Sequence, residues 1–207
     1  MSRDPIVYVL DDDGAVRTSL ESLLESAGYT VQTFSSADDY LARDRVDAPS
    51  CLILDVRLKG KSGLEIHREL VRDGDMQPII FITGHGDIPM SVAAMKAGAV
   101  EFLTKPFRDQ DLLDAVCSAI SQDERQKEAA RQIESILRRY NTLSPREREV
   151  MDLLASGLLS KQIAERLGLS QVTVKMHRAQ IMQKLEAETL ADLIRMSERL
   201  KTIPTIN

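Results

Sequence analysis

Along the 207 residues, apolar positions follow two rhythms in turn. From Ile6 to about Ser121, short apolar runs alternate with segments of helical spacing. Ile6–Leu10 is an apolar run that ends in three aspartates. Val16, Leu20, Leu23, Leu24 and Ala27 then recur at the spacing of one helix face, and Gly28 closes that helix. Tyr29–Phe34 reads as a second strand, and a short helix follows near Ala37–Ala42. Cys51–Leu54 is a continuous apolar run, as expected of a strand covered on both faces. Ser62-Gly-Leu-Glu65 is a capping-box signature that opens a third helix. Ile79–Ile82 is the fourth strand, Ile88–Ala97 a helix, Val100–Leu103 the fifth strand and Gln110–Ile120 the last helix of this series. Five strands alternating with five helices predict an α/β doubly wound parallel sheet.

From Asn141 the rhythm is helical throughout. Ser144-Pro-Arg-Glu147 joins a capping box to proline at the first helical position, and Gly157 ends that helix. Ser160–Leu167 is a second helix, Gly168-Leu-Ser170 a tight turn with an N-cap, Gln171–Leu185 a third helix and Thr189–Leu200 a fourth. Two short helices across a glycine turn, the later one basic, fit an all-α four-helix unit with a helix-turn-helix. Between the two rhythms, residues 121–140 are charged and contain neither proline nor glycine. They read either as a helical connector fused to the preceding helix or as a solvated linker. The expected organisation is residues 1–121, a connector over 122–140, and 141–207.

Charge changes this picture in one respect. A net charge of −5 argues against a nucleic-acid binder, but residues 1–120 hold 12 Lys and Arg against 20 Asp and Glu, while residues 141–207 hold 10 against 8. The acid sits at the front and a mildly basic tail follows, as two modules with different partners would require. Ile6–Leu10 is too short for a signal sequence or membrane span, so a cytoplasmic protein without membrane contact is expected. Cys51 and Cys117 lie in apolar segments and read as a reduced, buried pair of thiols.

Asp11-Asp12-Asp13 follow the first strand, Asp55 the third, Thr83 the fourth and Lys105 the fifth. Ligands of a doubly wound sheet bind beyond the carboxyl ends of its strands, where all of these residues fall. Crowded carboxylates call for a cation, and hard oxygen ligands suit Mg²⁺. One carboxylate is then placed to attack a phosphoryl group, whose oxygens the threonine hydroxyl and lysine ammonium can share. In the tail, a wheel at about 100° per residue puts Val174, Ile181 and Leu185 on the buried face of Gln171–Leu185. Val172, Lys175, Met176, Ala179 and Gln183 lie opposite, with Arg178 on a flank. Such a face suits a major groove, with Lys175 the leading candidate for a base edge and Arg178 and Lys161 for phosphates. His177, near the buried side, reads as structural.

Residues 5–121 resemble the receiver domain of bacterial response regulators. The stretch Ile82-Thr-Gly-His-Gly-Asp-Ile-Pro-Met90, with Ala94–Ala99 and Lys105-Pro-Phe107, is similar to the FixJ branch. The resemblance implies a flavodoxin-like sheet of order 2-1-3-4-5 with Asp55 as phosphoacceptor. It further implies Asp11, Asp12, Asp55 and the Arg57 carbonyl as Mg²⁺ ligands, Thr83 and Phe102 as a switch pair, Lys105 on the phosphate, and a cis Lys105–Pro106 bond. One departure is visible: Lys59 stands where the family usually has proline, which bears on loop rigidity and dephosphorylation. Residues 143–185 resemble the LuxR-type helix-turn-helix shared by NarL, FixJ and quorum-sensing regulators. That likeness implies bases facing Lys175, Met176 and Ala179, and Thr173 is a further candidate for DNA contact. It implies as partners a sensor histidine kinase, a two-fold DNA site, RNA polymerase and a second copy of the chain on phosphorylation. Leu190, Leu193, Ile194 and Leu200 form an apolar stripe that serves packing, dimer contact or both. An Asp-nucleophile phosphatase would need an Asp at position 57, which is Arg, so an enzyme is not expected. A pure protein adaptor would have no use for the tail motif.

Overall fold

The computed structural model describes residues 4–84 and 88–201. His85, Gly86 and Asp87 of the Ile82–Met90 motif lie outside these. The chain divides at Lys127 into two compact units.

The first unit alternates β1 (Ile6–Leu10), α1 (Gly14–Ser26), β2 (Thr30–Phe34), α2 (Ala37–Leu41), β3 (Ser50–Asp55), α3 (Gly63–Arg72), β4 (Ile79–Thr83), α4 (Ile88–Lys96), β5 (Glu101–Thr104) and the start of α5 (Asp109–Asn141). The strands are parallel in the order β2-β1-β3-β4-β5. Successive strand residues point to opposite faces, and the sheet therefore carries two cores. Tyr8, Leu10, Leu52, Leu54 and Phe81 face one side. Val7, Val9, Cys51, Ile53, Ile80 and Ile82 face the other, against Leu20, Leu24, Leu112 and Val116. The expected pair of buried thiols holds for Cys51 only; Cys117 is exposed. Leu112, Val116 and Ala119 set the inward face of α5, and one further residue at about 100° turns Cys117 away from it.

Residues 121–140 are helical, as part of α5. They are mostly strong helix formers (Gln, Glu, Arg, Lys, Ala, Leu) without a breaker, supported by side-chain pairs one turn apart, such as Glu134–Arg138 at 3.1 Å. Asp123 and Lys127 bind the first unit. The Asp123 carboxylate, 4% exposed, accepts the Ser50 N–H at 2.7 Å and meets Lys127 Nζ at 2.7 Å. Lys127 Nζ also donates to the Ala48 carbonyl at 2.5 Å.

The second unit holds the end of α5, α6 (Pro145–Ala155), α7 (Ser160–Leu167), α8 (Gln171–Leu185) and α9 (Leu190–Lys201). Its core joins Leu143, Val150, Leu154, Ile163, Val174, Ile181, Leu185 and Leu193. Leu190 and Leu200 pack against this core from the α9 stripe. Among the described residues, no helix is long and apolar enough to cross a membrane.

Candidate metal centre and nucleic-acid interface

The aspartates after β1 divide their work. Asp13 caps α1, its Oδ1 accepting the Ala15 N–H at 2.8 Å. Asp11 and Asp12 remain for the pocket. Together with Asp55, at the end of β3, they offer carboxylate oxygens that all lie within 4.8 Å of one another. Asp11 is 1% exposed; one of its oxygens accepts the Asp13 N–H at 2.8 Å and the other meets Lys105 Nζ at 2.7 Å. Lys105 also stands 3.5 Å from Asp55 Oδ1. That oxygen is buried, and Lys105 at this distance is a long, weak partner for it. Burial pushes the Asp55 carboxyl above its ordinary value, and the charges of Asp11 and Asp12 add to the rise against the pull of Lys105. A buried acceptor of this kind calls for a partner, and a hard cation among three carboxylates supplies one.

Thr83 is fully buried at the end of β4, its carbonyl accepting the Lys105 N–H at 2.8 Å. Phe102 lies beside Phe81 in the β4–β5 register and is half-buried, its ring centre 6.5 Å from that of Phe81. The Lys105–Pro106 peptide bond is cis. Arg57 is exposed in the loop after β3. Lys59, in the same loop, reaches Asp12 at 3.5 Å.

Gly63 was missing from the candidate residues, although it bears directly on the site. A Cβ at this position would lie 2.4 Å from the Asp55 carbonyl oxygen, and its N–H donates to Val56 at 2.9 Å. The signal was a glycine in the first turn of a well-capped helix, where it otherwise costs stability. Gly63→Ala is expected to force β3 and α3 apart beside Asp55. Overpacking predicts a loss of about 1–3 kcal/mol in denaturant unfolding.

In the second unit, Gly168 ends α7 at φ 63°, a left-handed conformation that glycine adopts without strain, and Ser170 caps α8. Arg146 donates to the Leu167 carbonyl at 2.6 Å, tying α6 to the end of α7. On α8, Val174, Ile181 and Leu185 are buried, while Lys175, Met176, Ala179 and Gln183 are exposed. Val172 is 77% exposed. Arg178 is half-buried on the flank and Lys161 is exposed on α7. The Thr173 hydroxyl shares a hydrogen bond with Ser170 Oγ at 2.8 Å. His177 is half-buried.

Glu147 ties the start of α6 to the end of α8. It is 3% exposed, closes the Ser144 capping box and meets Lys184 near the end of α8 at 2.7 Å. The capping box was legible in the sequence, whereas the Lys184 pair, 37 residues away, was not. Burial alone pushes the Glu147 carboxyl up, but hydrogen bonds from Lys184 and Ser144 and the Lys184 charge bring it below its ordinary value. A carboxyl held low when folded contributes stability that is present above its unfolded value, about 4.3, and is lost as pH falls through the folded value. The second unit is therefore expected to weaken in this acid range, and Glu147→Gln to flatten that dependence, measured by amide exchange along α6 and α8.

Residues 7–117 match the model of the response regulator receiver domain. This chain belongs to the response regulators. Residues 141–197 match the bacterial regulatory proteins of the luxR family, so this response regulator carries a LuxR-type DNA-binding domain and is a transcriptional regulator. Nodulation protein W of Bradyrhizobium diazoefficiens is 53% identical over 199 residues, spanning 96% of this chain and 88% of that protein. The transcriptional regulatory protein FixJ of the same organism is 41% identical over 193 residues, 93% of this chain and 94% of its own. Among solved structures, response regulator StyR matches with a TM-score of 0.85 at 45% identity, over 95% of this chain and all of that one. The expected sheet order and the following helical domain of this response regulator are both present.

Proposed function

We propose that a sensor histidine kinase phosphorylates this response regulator on Asp55, and that phosphorylation promotes dimerisation and sequence-specific DNA binding. The observation carrying this reading is the convergence of two further carboxylates and Lys105 on a buried Asp55 oxygen whose nearest partner, Lys105, stands 3.5 Å away. Mg²⁺ fits the donor set; Asp11, Asp12, Asp55 and the Arg57 carbonyl would hold it, and it would neutralise charge on the phosphoryl oxygens.

Asp55 Oδ attacks phosphorus as the phosphorus–nitrogen bond of the kinase phosphohistidine breaks, and the leaving imidazole nitrogen takes up a solvent proton. Lys105 moves from pairing carboxylates to pairing the new phosphoryl group, and the buried Thr83 hydroxyl turns to another of its oxygens. Phe102 follows Thr83 inward, so that charge at the pocket is read as a change of surface. In the proposed division, residues 1–121 form the receiver, 122–140 a connecting helix and 141–207 the DNA-binding domain. Two copies then read a two-fold site in the cytoplasm and contact RNA polymerase. Lys175, Met176 and Ala179 face bases, while Thr173, Arg178 and Lys161 contact the backbone.

The test is incubation with acetyl phosphate and Mg²⁺, followed by intact mass and a gel shift on selected two-fold DNA. One added phosphoryl group and tighter DNA binding are expected. No mass gain would overturn the phosphoacceptor reading. Lys175→Ala should cost about 1–3 kcal/mol and alter base preference, whereas Lys161→Ala should weaken all sites evenly. Identical DNA affinity in the two variants and the wild type would remove the recognition-helix assignment.

A further inference from the structure

Lys59, in the loop after β3, brings a charge to the rim of the acidic pocket. Lys105 already serves Asp11 at 2.7 Å and Asp55 at 3.5 Å. Asp12, the third carboxylate of the cluster, has Lys59 Nζ at 3.5 Å instead. Lys61, two residues further on, is turned away to Glu69 at 2.9 Å. The Lys59 side chain is 88% exposed and that of Asp12 22% exposed, so the pair lies in water at the mouth of the pocket. A pair so solvated is weak and readily exchanged.

We propose that Lys59 is an internal counter-ion of Asp12 that the divalent cation has to displace, lowering the cation affinity of the unphosphorylated pocket. The inference rests on the cation-dependent phosphoacceptor reading above. A cation approaching Asp12 meets a carboxylate already paired, and the ammonium must withdraw into solvent. Once withdrawn it stays tethered within roughly one Debye length, about 8–10 Å, and still opposes a like charge. A proline at the same position would stiffen the loop but carry no charge. Lys59 is thus a positioning residue acting through Asp12, and charge and loop stiffness can be separated by substitution.

The experiment is a titration of the unphosphorylated full chain with MgCl₂ alone, followed by the amide NMR shifts of Asp13 and Val56. It compares wild type, Lys59→Met, Lys59→Arg and Lys59→Pro. Lys59→Met and Lys59→Pro are both expected to bind Mg²⁺ about two- to fivefold more tightly than wild type, with Lys59→Arg unchanged. The difference should shrink as NaCl is raised, a dependence that a purely structural role would not produce. Equal affinity for wild type and Lys59→Met overturns the proposal while leaving the cation site intact. Tighter binding by Lys59→Pro alone assigns the effect to loop stiffness and likewise overturns it. If neither wild type nor Lys59→Met responds to Mg²⁺, the cation reading of the pocket fails, and this inference with it.

Discussion

Asp55→Asn is expected to take up no phosphoryl group from acetyl phosphate and Mg²⁺, while unfolding at a midpoint no lower than that of the wild type. The amide is nearly isosteric with the carboxylate but is a poor nucleophile, so the acceptor chemistry is lost without a change in packing. Stability follows from the electrostatics. Asp55 is 6% exposed, and burial, with Asp11 and Asp12 adding to it, raises its carboxyl above the ordinary value. For an acid whose folded value is raised, folding favours the neutral form, and stability falls as pH rises past the unfolded value. At neutral pH the wild-type charge therefore costs stability that asparagine does not. Lys105 has Asp11 as its nearer partner at 2.7 Å, so the substitution does not strand it. Intact mass and thermal unfolding check the two halves of the expectation. Uptake as fast as in wild type would place the acceptor elsewhere, and collapse of the fold would make Asp55 a structural residue.

Asp123→Ala is expected to destabilise the first unit by about 3 kcal/mol, the range for removing one partner of a buried pair. The side chain is 5% exposed and serves both the Ser50 N–H and Lys127. Its loss would leave a buried N–H at the start of a central strand without its acceptor. Lys127 is 28% exposed and can turn to water, which keeps the cost at the lower end of the range. Asp123→Asn retains an acceptor for Ser50 and is expected to lose only about 1 kcal/mol. Denaturant unfolding, with amide exchange at Ser50 and Cys51 to isolate the sheet, measures both. A change below about 0.5 kcal/mol in Asp123→Ala would show that the α5 extension contributes nothing to the unit.

Much of the acidic pocket was legible before any coordinates. Each of Asp11, Asp55, Thr83 and Lys105 stands just at or after the end of an apolar run, and parallel strands deliver such ends to one edge. Gly63 was harder to see, because its role is the absence of a Cβ next to a backbone oxygen 8 positions away in the chain. Lys59 was visible as a departure from pattern, but its partner Asp12 was not. In the tail, the exposed face of α8 followed from the wheel. The lock that holds α8 to α6 did not, since the Glu147–Lys184 pair joins two separate helices.

The sequence alone determined the elements, their order and the two-module plan, because strand and helix periods, caps and turn glycines act within a few residues of one another. It also determined which side chains could do chemistry at the strand ends. Tertiary structure decided which of them meet. It placed Lys105 against Asp11 across 94 positions, joined Asp123 to Ser50 across 73, and turned Cys117 outward while burying Cys51. Such pairings depend on how twisted strands and helices pack in three dimensions, and no local period encodes that distance.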